Sequence, residues 1–234
     1  VRSLVGSEMC IRDRYRPFLV KEEKILLMAM ESENAAEITK ALKEIVHTCT
    51  FGTINVDMLP TFDLEYIFLN IRAKSVGEVA KLKLLCPDDK ETYANVELDL
   101  STVAVQVDDK HSNEIQNNDK IKMIMKYPTI NSFDPTIDAA KLKTEQLFDI
   151  IADTVYEIYE GETVHKGSDY SNEEMKKFIE SLTSDHFAKI QTFFNTMPRL
   201  QHELEVENPK TKVKSKVVLS GLQSFFVSPS HMTT

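Results

Sequence analysis

The stretch TFDLEYIFLNIRAKS, residues 61–75, decides how this chain is read. Leu64, Ile67, Phe68 and Ile71 recur at helical spacing and make one apolar stripe, while Phe62, Tyr66 and Leu69 carry apolar surface onto the other sides. A helix that is apolar nearly all round packs inside a protein rather than on its surface. Asp63 in the first turn and Arg72 and Lys74 in the last suit the helix dipole, and Pro60 and Gly77 punctuate the ends. These residues predict a buried helix around which the other elements pack.

Moving outward toward the start of the chain, two further helices are expected. Residues 20–31 are good helix formers with early acidic residues. Residues 35–49 carry Ile38, Ala41, Leu42, Ile45, Val46 and Cys49 on one side, with Asn34 as their cap. Pro17 biases Arg16 toward extended backbone. Residues 1–14, VRSLVGSEMCIRDR, show no clear period and no signal-peptide core. They resemble a translated sequencing-adapter tail and are set apart from the fold as a non-native segment, Cys10 with them.

After Gly77 the period changes from helical to two. Residues 79–85 alternate around Leu82 and Leu84, residues 96–100 around Val96, Leu98 and Leu100, and Val103, Val105 and Val107 continue the pattern. Such alternation predicts an antiparallel meander with one wet face. Residues 108–120 are polar and read as a loop; Ile121, Met123 and Met125 alternate again. A turn at Asp134-Pro135 marks the one expected subdomain boundary, dividing 15–135 from 136–234. Beyond it a long helix is expected from Thr144, carrying Leu147, Ile150, Ile151, Thr154, Val155 and Ile158 and stopped by Gly161. Residues 162–170 read as a polar linker. Ser171 to Glu174 form a capping box for a short helix, another helix spans 185–196, and two strands meet at Asn208-Pro209. The fold class is therefore α+β: N-terminal helices with a central antiparallel β-meander, then a helical region ending in a β-hairpin.

At 234 residues the chain holds one large domain or two small ones. A net charge of −9 argues against general nucleic-acid binding, which neutralises phosphates with Lys and Arg. No apolar run reaches the roughly 18 residues of a membrane span. Three scattered cysteines, Cys10, Cys49 and Cys86, are too few for a disulfide framework and suit a reducing compartment.

The residues carry no recognisable chemistry. Cys86 with Asp88 and Asp89 resembles half of a metal knuckle, but a zinc site needs a second soft pair at matching spacing. His47, His111, His165, His186, His202 and His231 never fall four apart on a helix. Nucleophile elbows and phosphate-binding loops are missing from the sequence. No catalytic residue, metal ligand or cofactor is expected. What remains is surface. Tyr15, Arg16 and Phe18 near one end, and Leu222, Phe225 and Phe226 near the other, are candidate partner-binding residues, because aromatics and Arg are enriched at binding hot spots. The competing reading places Phe18, Phe225 and Phe226 in the core.

Three segments resemble one family in order. YRPFLVKEEKILLMAMES (15–32) is similar to the opening signature of the T4-type bacteriophage baseplate hub assembly protein family, and LPTFDLEYIFLNIRAKSVGE (59–78) to its central signature. The Phe-Phe helix before Met197-Pro198, the hairpin and GLQSFF resemble its close. The resemblance covers 15 to about 227 and implies a non-enzymatic structural or assembly protein of the contractile tail, with other baseplate hub proteins as partners. It implies a place in the virion baseplate, or in the host cytoplasm during assembly, where a chaperone-like, late-expressed helper would act. No catalytic residues come with it. A tail-associated enzyme acting on the cell wall is the alternative.

Overall fold

The computed structural model describes residues 15–32, 34–116, 121–132 and 143–225. In chain order the elements are α1 (Val20–Glu31), α2 (Ala35–Cys49), α3 (Thr61–Val76), β1 (Val79–Leu85), β2 (Tyr93–Asp99), β3 (Ala104–Gln106), β4 (Glu114–Gln116) and β5 (Ile121–Met125). Then follow α4 (Thr144–Thr154), β6 (Val155–Glu160), β7 (Thr163–Lys166), α5 (Asn172–Glu180), α6 (Ser184–Thr196), β8 (Arg199–Glu207) and β9 (Lys214–Ser220). The class is α+β, with antiparallel sheets throughout the described residues.

The chain forms two compact units, Val1–Gln106 with Arg199–Thr234, and Val107–Pro198. The first is thus assembled from both ends of the sequence. The cut expected between residues 135 and 136 lies outside the described residues, as do residues 1–14.

In the first unit α3 is buried on nearly every side, through Phe62, Asp63, Leu64, Phe68, Leu69, Ile71 and Ala73. It touches α2, β3 and β8, and the short turn Leu222–Phe225. Asn34 caps α2 by accepting hydrogen bonds from the amides of Ala36 and Glu37. β1 and β2 pair from Val79↔Asp99 to Leu85↔Tyr93, as the alternation predicts. The third segment departs from the expected meander. Asp99 accepts from the Ser101 amide at 2.9 Å and starts a 3-10 turn, Leu100–Thr102, which turns the chain away from the hairpin. β3 therefore joins a different sheet, of order β3-β8-β9. The β1–β2 and β8–β9 hairpins meet at their tips through buried Cys86, Ala94 and Val206. There Asp88 accepts from Asn208 Nδ2 at 2.9 Å and from Thr211 Oγ1 at 2.5 Å, linking two turns more than a hundred residues apart.

The second unit is the four-stranded sheet β4-β5-β6-β7 with helices packed on one face. Ile115, Met123, Met125 and Ile158 point from the sheet into a core completed by Ile151, Met175, Ile179, Ile190 and Phe193. The other face is wet: Lys122 pairs with Glu114 at 2.9 Å and lies over the Tyr159 ring. Four expectations are corrected here. The helix from Thr144 stops at Thr154, and residues 155–160 are β6. VYEIYE is β-branched and aromatic, and its amides gain partners on both β5 and β7, which outweighs helical periodicity. Gly161, with φ +62°, supplies the left-handed residue of a hairpin turn instead of a helix stop. The linker 162–170 contains β7 and a 3-10 turn, Gly167–Asp169. The loop 108–120 contains β4. Gly167 is tightly enclosed, since a Cβ there would lie 2.1 Å from the Val155 carbonyl oxygen.

Candidate partner-binding site

Both ends of the described chain are anchored by α3. The Phe18 amide donates to Ser75 Oγ at 2.9 Å, and the Leu222 amide donates to Glu65 Oε1 at 3.1 Å. Phe18, Leu222 and Phe225 are consequently buried, Phe225 completely. Arg16 is turned inward: its guanidinium holds the buried Glu22 carboxylate at 2.9 Å, and its amide donates to the Cys49 carbonyl. That contact keeps Glu22 below the usual carboxylate range and raises Arg16 further. Of the six candidate residues, Tyr15 is the exposed one among those described, and Phe226 lies outside the described residues. Three of these side chains act as core and a fourth neutralises a buried acid.

The exposed apolar surface of this end belongs instead to α1. Val20, Leu27 and Met28 lie along one side of the helix, separated from its buried side of Glu22, Leu26 and Ala29, and Leu19 precedes them. Val20 is 80% exposed and Met28 57%. The helical pattern of 20–31 was legible, but it did not tell which side of so evenly apolar a helix would be covered.

The second unit contains a cavity of about 370 Å³. Ile121 of β5, Ile158 of β6, and Met175 and Phe178 of α5 provide its apolar lining; Glu160, His165, Tyr170 and Glu174 supply the polar groups. These residues converge because the strand register places Ile121 opposite Glu160, and Ile158 opposite His165. Alternation then sends all four side chains to the helix-covered face. His165 Nδ1 and the Tyr170 hydroxyl share a hydrogen bond of 2.7 Å, and His165 Nε2 lies 3.9 Å from Glu160. Glu174 accepts from the Ser171 amide at 2.9 Å and from its hydroxyl at 2.7 Å. Both bonds hold the carboxyl below its ordinary range, so it is an anion at neutral pH. Sequence reading missed this site because it took residues 155–160 as helix and 162–170 as linker, which dispersed residues that the hairpin gathers.

The half-knuckle at Cys86 is a structural turn. Burial pushes the Cys86 thiol up, Asp88 reaches across to the other hairpin, and Asp89 accepts from the amides of Glu91 and Thr92. Among the described residues, no group of three His, Cys, Asp or Glu is placed to hold a metal ion. No helix among them is long and apolar enough to cross a membrane.

Comparison with known families now decides the identity: the family model described as T4 bacteriophage base plate protein matches residues 11–227. The chain belongs to that family. Residues 11–14 of the segment set apart fall within the match. Neither curated proteins nor solved structures give a match. The baseplate protein is therefore a structural component type, and its informative surfaces are those just described.

Proposed function

We propose that this baseplate protein contributes to assembly of the baseplate hub through protein–protein contacts and performs no covalent chemistry. The observation carrying the proposal is the exposed apolar side of α1, Val20, Leu27 and Met28, with Leu19 just before it, in a chain of baseplate family. Contiguous exposed apolar side chains on a folded protein mark contact surfaces. A stable contact typically buries about 1,600 Å² in total, so α1 would form the centre of a larger footprint. The partners are other hub proteins, met in the host cytoplasm during assembly or retained in the virion. Of the residues proposed from the sequence, Tyr15 is the exposed one, while Phe18, Leu222 and Phe225 are buried and anchored through α3.

Co-expression with the neighbouring hub proteins followed by size exclusion tests the proposal. Co-elution that is lost in Val20→Glu/Met28→Lys, with folding intact by circular dichroism, is the expected result. Co-elution unaffected by the double substitution removes α1 from the interface. Reproducible clearing of purified cell walls by the isolated protein would overturn the non-enzymatic reading.

A further inference from the structure

The cavity of the Val107–Pro198 unit has two chemically distinct parts. Its lining from Ile121, Ile158, Met175 and Phe178 is apolar, and its volume of about 370 Å³ lies within the range of small-ligand sites. Its polar groups are Glu160, Glu174, His165 and Tyr170, and neither Lys nor Arg is among the lining residues. Glu160 and Glu174 are both exposed in this lining, and Lys177 acts on Glu174 from outside it. Glu174 is oriented by Ser171, and the Glu160 side chain is 67% exposed, available to an incoming cation. An anionic ligand would meet like charge at the rim. A polar cation alone would leave the apolar floor unused.

We propose that this cavity receives an apolar side chain of a protein partner, carried next to a lysine or arginine that pairs with Glu160 and Glu174. The proposal rests on the reading of the chain as a baseplate protein that acts through protein contacts. The apolar side chain displaces water from the floor and supplies affinity; the neighbouring cation fixes orientation and excludes acidic segments. The His165–Tyr170 hydrogen bond holds one wall in place, so the cavity is formed before the partner arrives.

The experiment uses the whole protein and two blocked dipeptides, N-acetyl-Phe-Lys-amide and N-acetyl-Phe-Glu-amide. Binding is followed by NMR through the His165 ring signals, assigned by comparison with His165→Gln. The lysine dipeptide is expected to shift His165 saturably, with a dissociation constant in the millimolar range, as befits so small an anchor. The glutamate dipeptide should bind at least about tenfold more weakly, and Glu160→Lys should reverse the preference. Glu160 is exposed, so this substitution leaves the core intact. Absence of a saturable shift, equal affinity for the two dipeptides, or an unchanged preference in Glu160→Lys would each overturn the proposal. Co-elution with hub proteins, scored separately, distinguishes the two failures. A complex without dipeptide binding rejects the cavity alone, and dipeptide binding without a complex rejects the hub partnership alone.

Discussion

In the unit organised by α3, both oxygens of the buried Asp63 carboxylate lack a hydrogen-bond donor. In the Val107–Pro198 unit, the buried Lys176 ammonium meets three carboxylates, Glu145 at 3.1 Å and Asp149 and Glu173 at 2.9 Å. Asp63 is kept in the first unit by favouring its neutral form, Lys176 in the second by surrounding its charge, as Arg16 does for Glu22 in the first. Desolvation raises Asp63 to about 7, whereas hydrogen bonds donated to Asp149, Glu173 and Glu145 raise Lys176 above its ordinary range. Burial alone therefore does not tell how a charged residue behaves. The arrangement of its neighbours does.

The most severe test removes one core aromatic from each unit. Phe68→Ala and Phe193→Ala each delete a side chain that is almost wholly buried, and each should cost about 3–5 kcal/mol. Hydrogen exchange resolved by segment should show Phe68→Ala loosening α3 and both chain ends together. Phe193→Ala should loosen Tyr127 and His111, whose rings lie 5.7 and 5.3 Å from Phe193. If α3 and these segments exchanged independently, the anchoring of both ends of the described chain on one helix would be wrong.

Acid titration sharpens the contrast, because the two units should respond with opposite sign. Asp63 and Glu65 are both raised to about 7 by burial, so the folded unit binds their protons more tightly than the unfolded chain. Their contribution is greatest below the unfolded carboxylate value and is lost as pH rises from about 4 to 7. For Asp63 the full swing is on the order of 2–4 kcal/mol. His111 is lowered by burial, so its unit loses stability as pH falls below the ordinary histidine value. Urea unfolding followed by segment-resolved exchange between about pH 4.5 and 6.5 should show the α3 unit gaining and the other losing. Asp63→Asn should flatten the first slope and His111→Gln the second. Parallel slopes in the two units would refute the comparison.

Smaller effects are expected from Gly167→Ala and from the helix caps. The new methyl would collide with the Val155 backbone, and such overpacking typically costs about 1–3 kcal/mol. Equilibrium denaturation should show that loss at a site which the sequence presents as linker. Asn34→Ala and Ser171→Ala each remove one N-cap, in different units, for about 1 kcal/mol apiece. Equal shifts in the denaturation midpoint would mark these caps as local features, independent of the different cores around them.

How far the sequence carried the fold depends on how local each signal was. Asn34 and Ser171 accept from amides within a few residues and Pro60 immediately precedes its helix, so α2, α5 and α3 were legible with their starts. The helix expected from Thr144 begins there, with Lys143 as its N-cap residue, and the one read over 185–196 begins one residue earlier, at Ser184. Misreading 155–160 had a different origin. Val155 and Ile158 fit a helical stripe and a strand almost equally well, and Gly161 can end a helix or turn a hairpin with the same positive φ. Only pairing with β5 and β7 separated the two. The candidate cavity was hidden by that one ambiguity. The proposed binding ends were hidden by another: composition identifies Phe18, Leu222 and Phe225 as apolar, but not whether they face solvent or α3.

The sequence by itself determined the α+β class, the buried character of the helix at 61–75, the placement of most elements and the family to which the chain is assigned. All of these rest on periodicity, capping and residue identity, which act over a few residues or along a linear match. The tertiary structure alone decided that both ends of the chain share one unit, that β3 leaves its neighbouring hairpin for β8, and that Ile121, Ile158 and His165 line one cavity. Those outcomes depend on backbone pairing and burial between segments tens to a hundred residues apart, and no local pattern of side chains encodes which of several compatible partners a strand will choose.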